Sequence, residues 1–379
     1  MRGFFILQQY QIHLLIAMER LKISDFLGLS KGNVVIDVRS PSEYAHAHIP
    51  GAVNLPLFSD EERKQVGTTY KQVSRETAIK IGLEYFGPKM KPLVESVEQL
   101  VDENNKTSVE PGTSPSKKVF VYCWRGGMRS GAVSWLLNLY GFKVYTLIGG
   151  YKTFRKYVLE IFEQPYQFKI LGGFTGSGKT LVLNQLKNNG ETVIDLENLA
   201  AHKGSAFGNI ELLQQPTQEM FENNLALELL KKSAPVNARK NGSPAIWLED
   251  ESQRIGNLNL PNALWNSIRN SPVYFLEIDF EKRLDHICKE YGSFDPARLA
   301  EATLRIHKRL GPNETKKTLG FLEQGNIREA FSILLNYYDK HYLKGFHNRT
   351  DLGKLLTILP CNEVTPANSR LLETLYLPI

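Results

Sequence analysis

Phe168-Lys169-Ile170-Leu171, then Gly173-Phe174-Thr175-Gly176-Ser177-Gly178-Lys179-Thr180, then Leu181, Leu183 and Leu186 before Gly190: this stretch decides the fold of the second half of the chain. An apolar run, a glycine-rich turn and an apolar-periodic segment closed by glycine predict a strand, a loop and a helix in that order. The loop satisfies G-x-x-x-x-G-K-[ST], a phosphate-binding turn in the context it requires. Backbone N–H groups from Gly176 to Thr180 wrap a phosphate, Lys179 offers a point charge, and Thr180 can hold magnesium. Gly173, Gly176, Ser177, Gly178, Lys179 and Thr180 are therefore the expected phosphate-binding residues. Downstream, a strand is expected to end in Asp195, and Ala245-Ile246-Trp247-Leu248 leads into Glu249-Asp250-Glu251. Such a position suits a carboxylate that serves metal or water. Asp195, Glu249, Asp250, Glu251 and Arg254 are the candidates, and the spelling does not select among the three consecutive acids.

Working outward, the N-terminal half also reads as α/β. Val34-Val35-Ile36-Asp37-Val38 has the continuous apolar character of a buried parallel strand, closed by Arg39-Ser40-Pro41. A short helix from Ser42 to Ala47 and a turn through His48-Ile49-Pro50-Gly51-Ala52 lead to a second strand at Val53-Asn54-Leu55. The polar stretch from Asp102 to Lys118 reads as an exposed loop insertion. A third strand, Val119-Phe120-Val121-Tyr122, hands over to Cys123-Trp124-Arg125-Gly126-Gly127-Met128-Arg129-Ser130 and an apolar helix ended by Gly141. Val144-Tyr145-Thr146-Leu147 gives one more strand, and Gly149-Gly150 opens another helix. Gln164-Pro165 marks the expected boundary, and beyond Glu281 the chain reads as strongly helical.

Cys123 differs from Cys288 and Cys361, which read as small buried hydrophobes. It lies at the C-terminal end of a parallel strand, where open α/β sheets place their sites. Inward N–H groups of a glycine-rich loop, a helix N-terminus, Arg125 and Arg129 would favour a thiolate over a neutral thiol. Cys123 is thus the expected catalytic residue, cradled by Trp124, Arg125, Gly126, Gly127, Met128, Arg129 and Ser130.

A length of 379 residues favours two domains. Expected are an N-terminal extension over 1–17, with Met18 as an alternative start, a first domain over 18–163 and a second over 164–379. With 42% hydrophobic and 23% charged residues and no apolar run long enough for a bilayer, the composition is that of a globular protein without membrane spans. Three scattered cysteines exclude a disulfide framework and fit a reducing cytoplasm. A net charge of +6 is compatible with an anionic partner such as nucleic acid. His286, His307, His341 and His347 lack metal-ligand spacing, so no structural metal is expected. Lys308-Arg309, Lys316-Lys317 and the run from Lys340 to Arg349, with Tyr337, Tyr338, Tyr342 and Phe346 interleaved, suit either RNA contact or solvated helix faces.

Asp37-Val38-Arg39-Ser40-Pro41-Ser42-Glu43-Tyr44, His48-Ile49-Pro50-Gly51-Ala52-Val53-Asn54 and the Cys123 loop together resemble the rhodanese sulfurtransferases, with Ala47 where that family usually has glycine. The resemblance implies a persulfide-type chemistry at Cys123 and shaping roles for Asp37, Arg39 and His48. Glu61-Glu62-Arg63, Val66-Gly67-Thr68-Thr69-Tyr70-Lys71-Gln72, the spelling of the Cys123 loop, His202-Lys203-Gly204-Ser205-Ala206-Phe207-Gly208 and Glu251-Ser252-Gln253-Arg254-Ile255-Gly256 resemble the tRNA 2-selenouridine synthases more narrowly. That family joins a rhodanese-like parallel-sheet domain to a P-loop NTPase-like α/β domain with a helical C-terminal part.

The resemblance implies a transferase acting on wobble-uridine tRNAs. It replaces sulfur by selenium through an S-geranyl-2-thiouridine intermediate, with geranyl diphosphate and selenophosphate as substrates, no firm cofactor, and a selenophosphate-supplying enzyme as partner; magnesium, which Thr180 can hold, is not a firm expectation. Both sites would then face one tRNA-binding cleft. Two readings stay open beside it: an ATP-dependent tRNA sulfurtransferase or P-loop kinase with a persulfide cysteine, and a regulatory anion-binding module without catalysis.

Overall fold

The computed structural model describes residues 19–108, 116–202, 214–233 and 245–374. The N-terminal 1–17, with the start at Met18, and Lys203 to Gly208 lie outside the described residues. The chain divides into two compact units, Met1–Glu160 and Ile161–Ile379.

The first unit runs β1 (Glu19–Leu21), α1 (Ile23–Leu29), β2 (Val34–Asp37), α2 (Pro41–His46), β3 (Val53–Asn54), α3 (Asp60–Gln72), α4 (Arg75–Phe86), α5 (Met90–Ser108), β4 (Lys118–Tyr122), α6 (Met128–Tyr140), β5 (Lys143–Leu147) and α7 (Gly150–Phe162). Its five strands form a wholly parallel sheet in the order β1-β5-β4-β2-β3. Four of the five residues of β4 are buried, as an unalternating apolar strand covered on both faces must be. Phe120 packs edge-on to Phe26 at 5.4 Å and stacks with Tyr145 at 4.9 Å.

The expected loop from Asp102 to Lys118 is corrected: α5 continues to Ser108. The Asn105 amide exchanges hydrogen bonds with the backbone of Ser116, accepting at 3.1 Å and donating at 3.2 Å. Polar residues on the outer face of a helix anchored by Val94, Val97 and Val101 look like a loop only when the buried face is ignored.

The second unit runs β6 (Phe168–Gly173), α8 (Lys179–Asn188), α9 (Leu196–Ala200), α10 (Gln218–Lys232), β7 (Ile246–Glu249), β8 (Arg254–Ile255), β9 (Leu258–Asn259), α11 (Asn262–Arg269), β10 (Val273–Ile278), α12 (Phe280–Tyr291), α13 (Pro296–Arg305), α14 (His307–Leu310), α15 (Pro312–Glu323), α16 (Ile327–His347), α17 (Leu352–Leu355), β11 (Leu356–Cys361) and α18 (Ser369–Thr374). Four parallel strands lie in the order β11-β10-β6-β7, with β8 and β9 forming a separate antiparallel pair. The strand expected to end at Asp195 is reduced to a single parallel bridge between Val193 and Trp247, and Asp195 instead caps α9 by accepting from Asn198 N–H at 2.8 Å. The helical C-terminal part carries one strand that the reading above lacks, β11, at the sheet edge, where Pro360 costs no interior ladder bond. Helices α12, α13, α15 and α16 gather a second apolar core around Leu284, Leu299, Phe331 and Leu334.

Candidate functional site

In the first unit, Cys123 follows β4 directly. Its loop turns back through Gly126, at φ +61°, and packs against the start of α7, where Gly150 has φ +59°. A Cβ on Gly150 would lie 2.2 Å from the Cys123 carbonyl oxygen and 2.5 Å from Gly126 N, so the close approach of these two backbones requires glycine. The N–H groups of Tyr151 and Lys152 then bond the carbonyls of Cys123 (2.8 Å) and Trp124 (3.0 Å). The sulfur accepts from Gly127 N–H at 3.4 Å and lies 3.2 Å from Ser130 Oγ. One inward N–H and one hydroxyl thus meet Sγ.

The two arginines do not close this cradle as expected. Arg129 is paired with Glu43 at 2.6 and 3.3 Å. Burial raises the affinity of the Glu43 carboxyl for a proton, yet the hydrogen bonds and charge of Arg129 outweigh it and hold the group below its ordinary range. Arg125 is exposed, and among the described residues no carboxylate pairs with it. Cys123 itself is only 3% exposed and packs into the core of the unit, whereas Trp124 and Met128 of its loop are 39% and 52% exposed. Cys123 is therefore buried, next to exposed loop residues.

Asp37 and Arg39 are buried at 0% and 1%. Arg39 makes a forked pair with Asp37, donates to the Ala47 carbonyl at 2.7 Å and lies 3.9 Å over the Tyr151 ring. His48 stacks on Tyr44 at 3.8 Å. These contacts hold the turn after β2 to the sheet.

In the second unit, the phosphate loop lies between β6 and α8, with Gly173, Gly176 and Gly178 all at positive φ. A Cβ on Gly178 would come within 2.6 Å of Val364. Lys179 Nζ donates to the Gly173 carbonyl at 3.0 Å, spanning its own loop. The Thr180 hydroxyl donates to Glu249 Oε1 at 2.8 Å. Ser177 Oγ is buried and has no hydrogen-bond partner among the described residues.

Geometry separates the three consecutive acids. Asp250 is taken by Arg349, whose side chain is fully buried, and by the Tyr342 hydroxyl at 2.6 Å; that hydroxyl also accepts from Gly173 N–H at 3.3 Å. Glu249 and Glu251 instead converge with Glu197, their carboxylate oxygens within 4.8 Å of one another. Burial first, then Glu249 and Glu251, push Glu197 up to about 10; burial, then Glu249, push Glu251 up to about 8; burial is also the leading cause that raises Glu249. Three such carboxylates beside the Thr180 hydroxyl are the oxygen-donor set that a hard divalent cation takes, so these residues fit magnesium. Glu197 was missed in the sequence, although its spacing from Asp195 just after the Val193 bridge was the signal available. Arg254 lies apart, exposed, donating to the Gly256 carbonyl at 2.9 Å.

Of the basic and aromatic C-terminal run, Tyr342, Phe346 and Arg349 turn inward and pack beside the loop: Phe174, Phe275, Tyr342 and Phe346 make a ring cluster with centroids 5.3–6.1 Å apart. Phe346 and Arg349 are buried there, and Tyr342 is half-buried. Tyr337, Lys340 and His341 face outward with Arg309. Among the described residues no helix is long and apolar enough to cross a membrane.

Comparison with known proteins matches each unit. Residues 25–157 match the rhodanese-like domain family, and residues 166–352 match the tRNA 2-selenouridine synthase AAA domain. A tRNA 2-selenouridine synthase of Pseudomonas syringae pv. syringae (strain B728a) is 34% identical over 328 residues, covering 81% of this chain and 83% of that protein. The synthase of Cupriavidus pinatubonensis (strain JMP 134 / LMG 1197) is 34% identical over 344 residues, covering 82% and 88%. That of Pseudomonas putida (strain GB-1) is 37% identical over 314 residues, covering 76% and 78%.

Proposed function

The chain belongs to the tRNA 2-selenouridine synthase family, and from that premise we propose that it replaces sulfur by selenium at the wobble 2-thiouridine of tRNA, with geranyl diphosphate and selenophosphate as co-substrates. The observation that carries this reading is the joining, in one polypeptide, of a cysteine loop and a phosphate loop. Sulfur-site chemistry alone needs no phosphate loop, and a nucleotide-driven kinase needs no cysteine at the end of β4.

The first step gives the phosphate loop its task. The thiocarbonyl sulfur attacks C1 of geranyl diphosphate; a C–S bond forms, the C–O bond breaks, diphosphate leaves with the bonding pair, and N3 of the base releases its proton to solvent, leaving the neutral S-geranyl base. Inward N–H groups from Gly176 to Thr180 and the Lys179 ammonium hold the charge that develops on the leaving group. Lys179 must exchange its present acceptor, the Gly173 carbonyl, for a phosphate oxygen. Bound magnesium, held by Thr180 and by Glu197, Glu249 and Glu251, would neutralise further phosphate charge.

In the second step the selenium of selenophosphate adds at C2, the C–S bond breaks, and geranylthiol departs after taking up a proton. Water then cleaves the P–Se bond, leaving phosphate and 2-selenouridine. The electron count needs no external oxidant or reductant. Cys123 acts in this second step, positioning the selenium donor with the Gly127 N–H and Ser130 hydroxyl beside it. Because Cys123 is only 3% exposed, the donor reaches its sulfur only when residues packed around it move.

The test is mass spectrometry of nucleosides from 2-thiouridine tRNA incubated with the full chain, geranyl diphosphate and selenophosphate, each donor omitted in turn. Selenouridine formed only with both donors supports the reading. Selenation that ignores geranyl diphosphate, or that demands ATP turnover, overturns it in favour of an ATP-dependent sulfurtransferase.

A further inference from the structure

The second unit carries an open groove of about 460 Å³, on the outer face of α14 and α16, that none of the chemistry above uses. Its size falls in the range of small-ligand clefts, roughly 300–1,000 Å³. Arg309 contributes from α14; Asn336, Tyr337, Lys340 and His341 contribute from α16, where spacings of three and four residues put them along one side of the helix.

The lining combines two kinds of recognition. Tyr337 and His341 line it with ring centroids 4.6 Å apart and ring planes tilted by 59°, so a single base can lie flat on only one of them; Tyr337 is half-buried and His341 exposed. Arg309 bonds the Tyr337 phenol, and Lys340 stands exposed; among the described residues neither cation has a carboxylate partner. The one acid on the lining, Glu314, is engaged by Lys317 at 3.1 Å. Burial and the charges of Arg309 and Lys344 lower the proton affinity of His341. Planar rings flanked by unpaired cations match a nucleotide of a single strand, whose base has a stacking face and whose phosphate carries the complementary charge. The same helix anchors the phosphate loop through the Tyr342 hydroxyl, so a strand held here is tied by one rigid element to the second unit's own site.

Resting on the reading of tRNA as substrate, we propose that this groove binds an unpaired nucleotide of the tRNA, its base stacked on the Tyr337 ring with His341 at its edge and its phosphate between Arg309 and Lys340. Tyr337 is a positioning residue and touches no reacting atom.

The full chain and its variants are titrated with fluorescently labelled 2-thiouridine tRNA across a potassium chloride series, and selenouridine formation is followed in parallel. Tyr337→Ala should weaken binding about tenfold with an unchanged salt slope, since a lost stack removes no ion pair. Tyr337→Phe, which keeps the ring, should restore binding. Arg309→Ala with Lys340→Ala should lower the salt slope by about 0.7 per lost contact, the single-strand value. In each case KM for tRNA should rise while kcat at saturating tRNA holds. If the wild type binds and modifies tRNA and these variants match it, the groove assignment is wrong while the substrate stands. If the wild type binds no tRNA at any salt, both fall.

Discussion

The Thr180 hydroxyl donates to Glu249 Oε1 across 2.8 Å, tying the last residue of the phosphate loop to the carboxylate that ends the neighbouring strand. Glu249 is therefore both a loop partner and one edge of a three-glutamate cluster with Glu197 and Glu251.

That cluster sets a pH dependence. Glu197 at about 10 and Glu251 at about 8 both lie above the ordinary glutamate value of 4.5, because burial and mutual repulsion disfavour their charged forms. The folded chain therefore keeps protons that the unfolded chain releases, so stability from these groups is full below 4.5 and is lost as pH climbs through about 8 and about 10. Thermal denaturation in EDTA should show Tm falling from pH 6 to pH 9, and Glu251→Gln should flatten the fall. Magnesium chloride should raise Tm more at pH 8.5 than at pH 6, because only the ionised cluster repels itself. Equal magnesium shifts at both pH values would exclude the cluster as the cation site.

Lys179 spans its own loop to the Gly173 carbonyl, so its removal leaves the loop's glycine geometry in place while deleting the mobile charge. Lys179→Ala should lower the rate of S-geranylation by about 10²–10³, the range seen when one preorganised donor to a developing anion is lost. Thermal denaturation should show little change in Tm, and pyrophosphate should no longer stabilise the variant as it does the wild type. Retention of geranylation with a lowered Tm would reassign Lys179 to a structural role.

The pairing of Asp37 with Arg39 makes the opposite prediction in the first unit. Both side chains are buried, and Arg39 depends on Asp37 and the Ala47 carbonyl for its hydrogen bonds. Asp37→Ala strands a buried guanidinium and should cost about 3–5 kcal/mol, read as a lower urea midpoint. Selenation per folded molecule should stay near wild type at low temperature. A large activity loss without loss of stability would instead place Asp37 in the chemistry.

How much of this was legible before folding follows from how far apart the partners lie. The two strand–loop–helix turns could be read because each is contiguous and its glycines occupy positions such as φ +75° at Gly178, which L side chains rarely adopt. Glu249, Asp250 and Glu251 could not be ranked, because the residue that removes Asp250 from the site, Arg349, lies 99 positions downstream. Glu197 joins the cluster only after the chain returns to the sheet at Val193. The same distance explains Arg129, whose partner Glu43 also caps α2 as part of a box with Ser40, a double role that no single motif spells. The strand Leu356–Cys361 lies within the part that reads as helical, and its Pro360 is admissible because β11 sits at the sheet edge.

Cys123 offers the sharpest separation of the two half-reactions. Among the described residues its sulfur makes polar contacts with the Gly127 N–H and the Ser130 hydroxyl, and it lies in a different compact unit from the phosphate loop, so Cys123→Ala should leave diphosphate displacement intact. Nucleoside mass spectrometry with both donors should then show S-geranyl-2-thiouridine accumulating and 2-selenouridine falling below detection. Cys123→Ser keeps a small polar group of nearly the same size and should fold as the wild type; it should fail in the same step, because a hydroxyl is far harder to ionise than a thiol at neutral pH. The covered state of the sulfur adds a kinetic signature: modification by a thiol reagent should be slow in the free protein and should accelerate when Gly126→Ala disrupts the loop, since a Cβ there would stand 2.5 Å from the Leu147 carbonyl oxygen. Normal selenouridine formation by Cys123→Ala would remove the residue from the reaction and leave it as a core side chain next to exposed loop residues.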